Sequence, residues 1–258
     1  IGVARDLAAV LYHNNIKCQL NFADISAFKE GTEKPLSIEV KDEKSCPRYA
    51  GISIKNVKVK ASPDWLQKRL QSIGLTPINN VVDITNYVLH ETGQPLHAFD
   101  AKKIDKDTVI IQQLKDKTKF TTLDDVEREL SSEDLMICDG KNQPMCIAGV
   151  FGGKNSGVEK NTTEIFLESA YFNPLSVRKT AKRQALSTDA SFRFERSVDP
   201  NLVIYALKRA ALLIEDICKG SISSYISDFY PNEIKDTNIE PVSYTHLTLP
   251  TKWSVVGG

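Results

Sequence analysis

Residues 79–100 read Asn79-Asn80-Val81-Val82-Asp83-Ile84-Thr85-Asn86-Tyr87-Val88-Leu89-His90-Glu91-Thr92-Gly93-Gln94-Pro95-Leu96-His97-Ala98-Phe99-Asp100. Asp83 to Thr92 predicts a helix that Gly93 ends, because glycine accepts the left-handed backbone that closes a helix. Gln94 to Asp100 is expected as the loop after it. The stretch gathers a hydroxyl, an amide, a phenol, carboxylates and His97, one of four histidines in the chain. Val81, Val82, Val88 and Leu89 lie among them. That mixture predicts a shaped polar pocket in a folded wall, since a solvated loop has no use for the apolar half. Asn86 offers donors and acceptors together and Thr85 a hydroxyl, which suits a small polar ligand. Helix capping or local turn bonding is the competing use of both side chains. His97, beside Ala98-Phe99, reads either as a group that positions water or as a structural histidine.

Around this stretch the periodicity is mixed. Ile52 and Ile54, then Val57 and Val59, predict a strand with a bulge at Lys55-Asn56. Ser62-Pro63-Asp64 predicts a helix start with Ser62 as cap, an apolar face of Leu66, Leu70 and Ile73, and a stop at Gly74. Residues 3–13 predict a short amphipathic helix with Leu7, Val10 and Leu11 on one face. Residues 28–46, polar and rich in Lys and Glu, predict a linker. Short apolar runs at 108–114, 135–138, 145–150 and 165–168 predict a middle rich in strands. Asn173-Pro174 opens a basic helix carrying Arg178, Lys179, Lys182 and Arg183. Asp199-Pro200 opens the longest helix, to about Cys218, closed by Gly220, with Val203, Leu207, Ala210, Ala211, Ile214 and Ile217 as its apolar stripe. Strands and helices do not alternate strictly, so the expected class is α+β, with mixed or antiparallel sheets and packed helices.

Composition narrows the functional classes. With 33 basic and 33 acidic side chains the net charge is zero, which argues against a general nucleic-acid coat while leaving room for a local basic surface. No apolar run approaches the roughly 20 residues of a membrane helix. The five cysteines, Cys18, Cys46, Cys138, Cys146 and Cys218, show no metal-ligand spacing, so free thiols in a reducing compartment are expected and no metal site is assigned. The start, Ile1-Gly2-Val3-Ala4-Arg5-Asp6, lacks a signal-peptide layout and opens inside a helical pattern, which is expected of a fragment.

Glu168 follows Ile165-Phe166-Leu167 on an apolar strand, where a carboxylate needs a partner. A salt bridge to Arg193 or Arg196 is one reading. The other is an acceptor at the floor of an aromatic-sized pocket, matched by a phenol and left unpaired by a bare phenyl ring. Ala148-Gly149-Val150-Phe151-Gly152-Gly153 has no phosphate-loop pattern. Its small residues, Gly149 among them, predict close backbone approach or room for a ring. Arg193, Glu195 and Arg196 read as a structural ion network, and the basic helix as a solvated face or a phosphate contact.

Four segments then carry a resemblance in order: 79–100, Ile147 to Gly153, Leu167-Glu168-Ser169-Ala170, and Ser187-Thr188-Asp189-Ala190-Ser191-Phe192-Arg193-Phe194-Glu195-Arg196. Over roughly residues 46–231 the chain resembles the B3/B4 editing region of bacterial phenylalanyl-tRNA synthetase β subunits. The resemblance implies a first part, 1–45, of helix and linker from a preceding module, an editing domain over 46–231, and a tail, 232–258, partly foreign to the fold. It implies hydrolysis of the ester in mischarged tyrosyl-tRNA(Phe), in the cytoplasm. The partners implied are the acceptor end of tRNA(Phe) and the α subunit of the parent heterotetramer. His97, Asn86 and Thr85 would act on the ester, ribose and water, while Glu168, Thr188, Ala190 and Gly149 would bind the amino acid. No cofactor is implied here; ATP and Mg²⁺ belong to the synthetic site of the parent enzyme. Thr76 departs from the pattern, since several family members carry Arg there, near the pocket mouth. Two other readings share these residues: a non-catalytic RNA-binding or scaffold module, and a free-standing aminoacyl-ester hydrolase.

Overall fold

The fold is built on β2 (Arg48–Lys55), a strand buried along nearly its whole length. A computed structural model describes residues 1–235; the expected tail beyond them lies outside the described residues. Before β2 come α1 (Gly2–His13) and β1 (Ser37–Val40). After it follow α2 (Asp64–Gln71), α3 (Asn80–Thr92), β3 (Leu96–Asp100), β4 (Thr108–Gln113), β5 (Lys119–Thr121), β6 (Glu127–Glu129), β7 (Leu135–Asp139), β8 (Pro144–Ile147), β9 (Phe151–Gly152) and β10 (Ile165–Tyr171). The chain continues through α4 (Pro174–Arg183), α5 (Asp189–Phe194), α6 (Leu202–Cys218), β11 (Ser221–Ile222) and β12 (Ser227–Phe229). The central sheet is antiparallel, in the order β11-β2-β10-β3, with β12 also paired to β2. The second sheet runs β1-β4-β7-β8-β9, parallel only between β1 and β4. The expected class, mixed sheets with packed helices, is what forms.

Successive side chains of a strand point to opposite faces, and the central sheet uses this to divide two cores. Ala50, Ile52, Ile54, Ala98, Ile165 and Leu167 face α2, α3 and α6. Tyr49, Phe99, Phe166 and Ala170 face the second sheet and α4 and α5. The stripe predicted for α6 is buried in full, from Val203 to Ile217.

Several boundaries differ from expectation for physical reasons. Residues 37–40, expected as linker, form β1 against β4, since Ser37-Ile38-Glu39-Val40 alternates and half-buries its apolar members. The strand expected from Ile52 through Val59 begins at Arg48 and stops at Lys55 without a bulge: Asn56 takes a left-handed backbone with φ 58°. Helix α3 starts at Asn80, three residues early, because the Asn79 side chain accepts from the amides of Val81 and Val82. Ser62 does not cap α2; its hydroxyl donates to Asp83 Oδ2 at 2.5 Å, and Ile73 is exposed. Gln94 to Asp100 is mostly not loop, since Leu96–Asp100 forms the strand that edges the central sheet. The apolar face of α1 is exposed at Leu7 and Val10. Helix α6 is closed by Lys219 in the left-handed conformation, with Gly220 just beyond.

Candidate functional site

Glu168 sits in the middle of β10, opposite Gly51 of β2 on one side and His97 of β3 on the other. Alternation places all three on the face toward the second sheet. Gly51 is needed there: a Cβ would fall 2.0 Å from the Phe166 ring, which crosses the strand at that point. Glu168 is only 5 % exposed. The Tyr49 hydroxyl, fully buried, donates to its Oε2. Burial pushes the Glu168 carboxyl up to about 8, against the opposing pull of the Tyr49 hydrogen bond. At neutral pH it is therefore mainly the uncharged acid, which is how a carboxyl without a cation survives in an apolar interior. The salt bridge expected as one alternative does not form: Arg193 pairs with Asp189 and Arg196 with Glu195. Of the ion network expected among Arg193, Glu195 and Arg196, the Glu195–Arg196 pair forms, while Arg193 turns to Asp189 one helical turn before it.

His97 is half-buried, and its Nε2 is buried and has no hydrogen-bond partner among the described residues. Its ring stands edge-on to Phe99, with centroids 4.5 Å apart. Burial lowers His97 to about 4, so the imidazole is neutral at physiological pH. A base that weak transfers few protons near neutrality, but a neutral ring with a free nitrogen remains a good hydrogen-bonding group. An orphaned buried nitrogen is uncommon enough to point to a ligand or water.

The turn from β8 to β9 borders this pair. Gly152 is the glycine that matters beside His97: a Cβ there would lie 3.3 Å from His97 Cε1 and 2.8 Å from Leu123 Cδ1. The sequence quoted Gly152 within its glycine run but singled out Gly149. Gly149 takes φ +69°, and a Cβ on it would meet Phe172 at 2.9 Å and Phe194 at 3.0 Å. Its smallness serves the core beneath α4 and α5. Tyr49 was missed altogether; the one available signal was the alternation of Ile54, Ile52 and Ala50 carried backward, which puts Tyr49 and Gly51 on the opposite face.

Thr188 caps α5 in a reciprocal arrangement with Ser191, and its hydroxyl donates to the Val150 carbonyl at 2.9 Å. That bond ties the wall helix to the turn that leads into β9, whose Gly152 borders His97. Ala190 lies in the first turn of α5, half-buried against the same core. Thr85 is buried within α3 and donates to the Val82 carbonyl at 2.8 Å, the local use foreseen as the alternative. Asn86 is half-buried, and its side chain makes no hydrogen bond among the described residues. It precedes His90 by one turn on the same stripe, and His90 Nδ1 lies 3.1 Å from Arg193 Nη2 of α5. The structure thus pairs Glu168 with His97 across neighbouring strands, brings Gly152 against His97, and bonds Thr188 to Val150 in the turn that precedes Gly152. It gives Asn86 and Thr85 no hydrogen bond to Glu168 or His97. Thr76 is exposed.

Two cavities lie away from this pair. One of about 590 Å³ opens between the sheets near Glu33, Ser53, Lys102 and Lys106. Another, of about 290 Å³, lies by Gln94, Phe192, Arg193 and Arg196. Neither includes Glu168 or His97. The buried carboxyl and the orphaned imidazole are the stronger marks of chemistry, because size alone says nothing about what a cavity does. Among the described residues no three His, Cys, Asp or Glu side chains group as metal ligands. Four of the five cysteines are buried free thiols and Cys18 is an exposed one.

The B3/4 domain family profile matches residues 45–219. The phenylalanine–tRNA ligase β subunit of Bacteroides thetaiotaomicron is 55% identical over 228 residues, which is 88% of this chain and 28% of that protein. The β subunit of Bacteroides fragilis is 52% identical over 240 residues, 93% of this chain and 29% of that protein. The chain spans less than a third of the length of these relatives. A solved N-terminal fragment of the phenylalanyl-tRNA synthetase β subunit from Pyrococcus horikoshii shares the fold, with TM-score 0.51 at 10% identity, covering 76% of this chain and 52% of that one. With the profile covering well over half its length, and relatives above 50% identity across nearly all of it, this chain belongs to the B3/4 domain family.

Proposed function

We propose that the chain is the editing region of a phenylalanine–tRNA ligase β subunit and hydrolyses the ester of tyrosyl-tRNA(Phe). The observation that carries this reading is the pair at the centre of β10 and β3: a buried, cation-free carboxyl at Glu168 beside an unpartnered imidazole nitrogen at His97. Glu168 Oε1 accepts no hydrogen bond among the described residues, so it can match the hydroxyl of a tyrosyl side chain. A phenylalanyl ring would leave that group unmatched, at a cost of about 1–3 kcal/mol, which is roughly ten- to a hundredfold in selectivity. The uncharged state of Glu168 lets it do this without holding a full charge in the interior.

The reaction is attack of water on an aminoacyl ester. His97 Nε2 positions that water or the terminal ribose. It is not required to act as a strong base, because the ester is activated and orientation alone lowers the barrier substantially. Asn86 contributes its free amide, and Thr85 an oxygen lone pair, from α3. Thr188 and Ala190 shape the wall, and Gly149 lets that wall pack closely. The acceptor end of tRNA(Phe) is the substrate carrier. The α subunit is the partner that supplies ATP and Mg²⁺ chemistry in the cytoplasmic parent enzyme, and the editing step itself uses no cofactor.

The test compares deacylation of tyrosyl-tRNA(Phe) and phenylalanyl-tRNA(Phe) by the parent heterotetramer, intact and as Glu168→Ala. Preferential hydrolysis of the tyrosyl ester, lost in the variant, is the expected result. An intact enzyme that hydrolyses neither ester, or a variant that keeps the preference, overturns the reading in favour of a scaffold module.

A further inference from the structure

We infer that Tyr49 is a specificity-determining residue of this pocket: its hydroxyl occupies Oε2 of Glu168 and so leaves Oε1 as the oxygen through which Glu168 reads a bound phenol. The inference rests on the proposed editing of tyrosyl esters and adds to it a residue that the sequence did not single out.

A glutamate carboxyl rotates broadly about its last torsion and offers two equivalent oxygens. Unassisted, Glu168 could turn either oxygen toward a ligand, and a phenol would gain no fixed partner. Tyr49 removes that freedom. It is fully buried on β2, opposite Ala170, one β10 position beyond Ser169 and two beyond Glu168. Its ring tilts against Phe172 at 6.4 Å, and Phe172 stands edge-on to Phe194 of α5 at 5.1 Å. Phe194 belongs to the helix that Thr188 caps. The Tyr49 hydroxyl therefore fixes the carboxyl relative to the wall that Thr188 and Ala190 form. Preorganisation of this kind sharpens discrimination because the site loses no freedom when the right ligand arrives.

The titratable groups around Glu168 are Tyr49 from β2, His97 from β3, Cys146 from β8 and Cys46 just before β2. None is a cation at neutral pH. Among the described residues the Tyr49 hydrogen bond is therefore the one interaction that favours the ionised carboxyl, working against burial. Its removal moves the ionisation of Glu168 to higher pH.

The experiment uses the parent heterotetramer as wild type, Tyr49→Phe, Glu168→Gln and the double variant. Tyr49→Phe deletes one oxygen and keeps the ring stack, so the fold stands; a melting curve verifies it. The ratio of tyrosyl to phenylalanyl ester hydrolysis is expected to fall about tenfold in Tyr49→Phe. In the double variant the loss should match that of Glu168→Gln alone, because coupled residues do not add. The alkaline break in the wild-type ratio should shift upward in Tyr49→Phe and vanish in Glu168→Gln, which a mere packing role would not produce. An unchanged ratio and break in Tyr49→Phe, or fully additive losses, overturns the role of Tyr49 while leaving the editing reading intact. A wild type without tyrosyl preference removes both.

Discussion

The two faces of the central sheet are made by alternate residues of the same three strands and both bury an apolar core, yet only one of them carries strongly shifted ionisable groups. Toward α2, α3 and α6 the strands present chiefly apolar, buried residues, Ala50, Ile52, Ile54, Ala98, Ile165 and Leu167, with buried Ser169 as a polar member whose hydroxyl has no hydrogen-bond partner among the described residues. Toward the second sheet they present Tyr49, Gly51, His97, Phe99, Phe166 and Glu168, a set that includes a carboxyl near 8 and an imidazole near 4. Both contribute stability through burial. The second also accepts costs in stability, a carboxyl kept from water and a ring nitrogen kept without a partner, of the kind expected at sites of chemistry. A rigid apolar face behind the strands is what holds such a polar face in position.

If this division is right, the largest loss of stability should come from the helix side. Leu207 in α6 is 0 % exposed. Leu207→Ala should cost about 4 kcal/mol, from lost burial and the cavity left behind. Alanine keeps the helix propensity, so urea denaturation should report packing alone. The selectivity of the remaining folded enzyme should be unchanged. A large change in the tyrosyl-to-phenylalanyl ratio would mean the faces are not separable.

The next effect belongs to the polar face and depends on pH. An unfolded glutamate ionises near 4.5, whereas folded Glu168 holds its proton until about 8. Its contribution to stability is complete below 4.5 and is lost as pH rises through 8, on the order of 5 kcal/mol in all. His97 has the opposite sign: its ordinary value of 6.5 falls to about 4 on folding, so its contribution is present above 6.5 and lost as pH falls through 4. The two neighbours offset each other between 4.5 and 6.5, and from 6.5 to 8 Glu168 acts alone. Glu168→Gln should therefore gain on wild type in urea denaturation across that upper window. Parallel stability curves for the two proteins would mean that Glu168 titrates as an ordinary surface carboxylate.

The same division explains how much could be read before the fold was known. The stripe of α6 and the apolar runs of β4, β7, β8 and β10 were foreseen, because burial on one side leaves a period in the sequence. Leu96–Asp100 reads as loop in the sequence, since His97 and Asp100 interrupt an apolar pattern that only pairing with β10 completes. Glu168 was visible as a carboxyl out of place on an apolar strand. Its partner was not, because Tyr49 lies 119 residues away and reaches it only through strand register. Gly149 and Gly152 look alike in sequence; only the fold shows which one borders His97. Thr85 and Asn86 are adjacent in sequence, but the helix turns the Thr85 hydroxyl onto its own backbone while the Asn86 side chain keeps no hydrogen bond among the described residues.

Ala190 gives a smaller effect, confined to the polar face. It is half-buried at the start of α5, where alanine and leucine both suit a helix. Ala190→Leu should leave the melting temperature close to wild type while slowing tyrosyl-ester hydrolysis about tenfold, or about 1.4 kcal/mol in the barrier, by crowding the wall. An Ala190→Leu enzyme that edits normally would place the ligand away from α5 and return Thr188 to a purely capping role.

Asn79 supplies the smallest effect and the finest probe of the boundary between the faces, because α3 belongs to both. Its buried side, with Ile84 and Val88, packs into the helix-side core, while its Asn86–His90 stripe reaches α5. Asn79 caps the far end of that helix, accepting from Val81 and Val82 at 3.1 and 3.0 Å. Asn79→Ala should cost about 1 kcal/mol of stability through two unpaired amides. Asn80 still holds the helix start, through the Lys60 amide at 3.0 Å and the Lys58 carbonyl at 2.9 Å. Fraying should therefore stop before Asn86, nearly two turns further in. Measured side by side, denaturation should shift and the hydrolysis of tyrosyl-tRNA(Phe) should not. A drop in hydrolysis equal to or larger than the drop in stability would mean that α3 moves as a unit, and that the helix side sets the position of Asn86 as well as the packing beneath it.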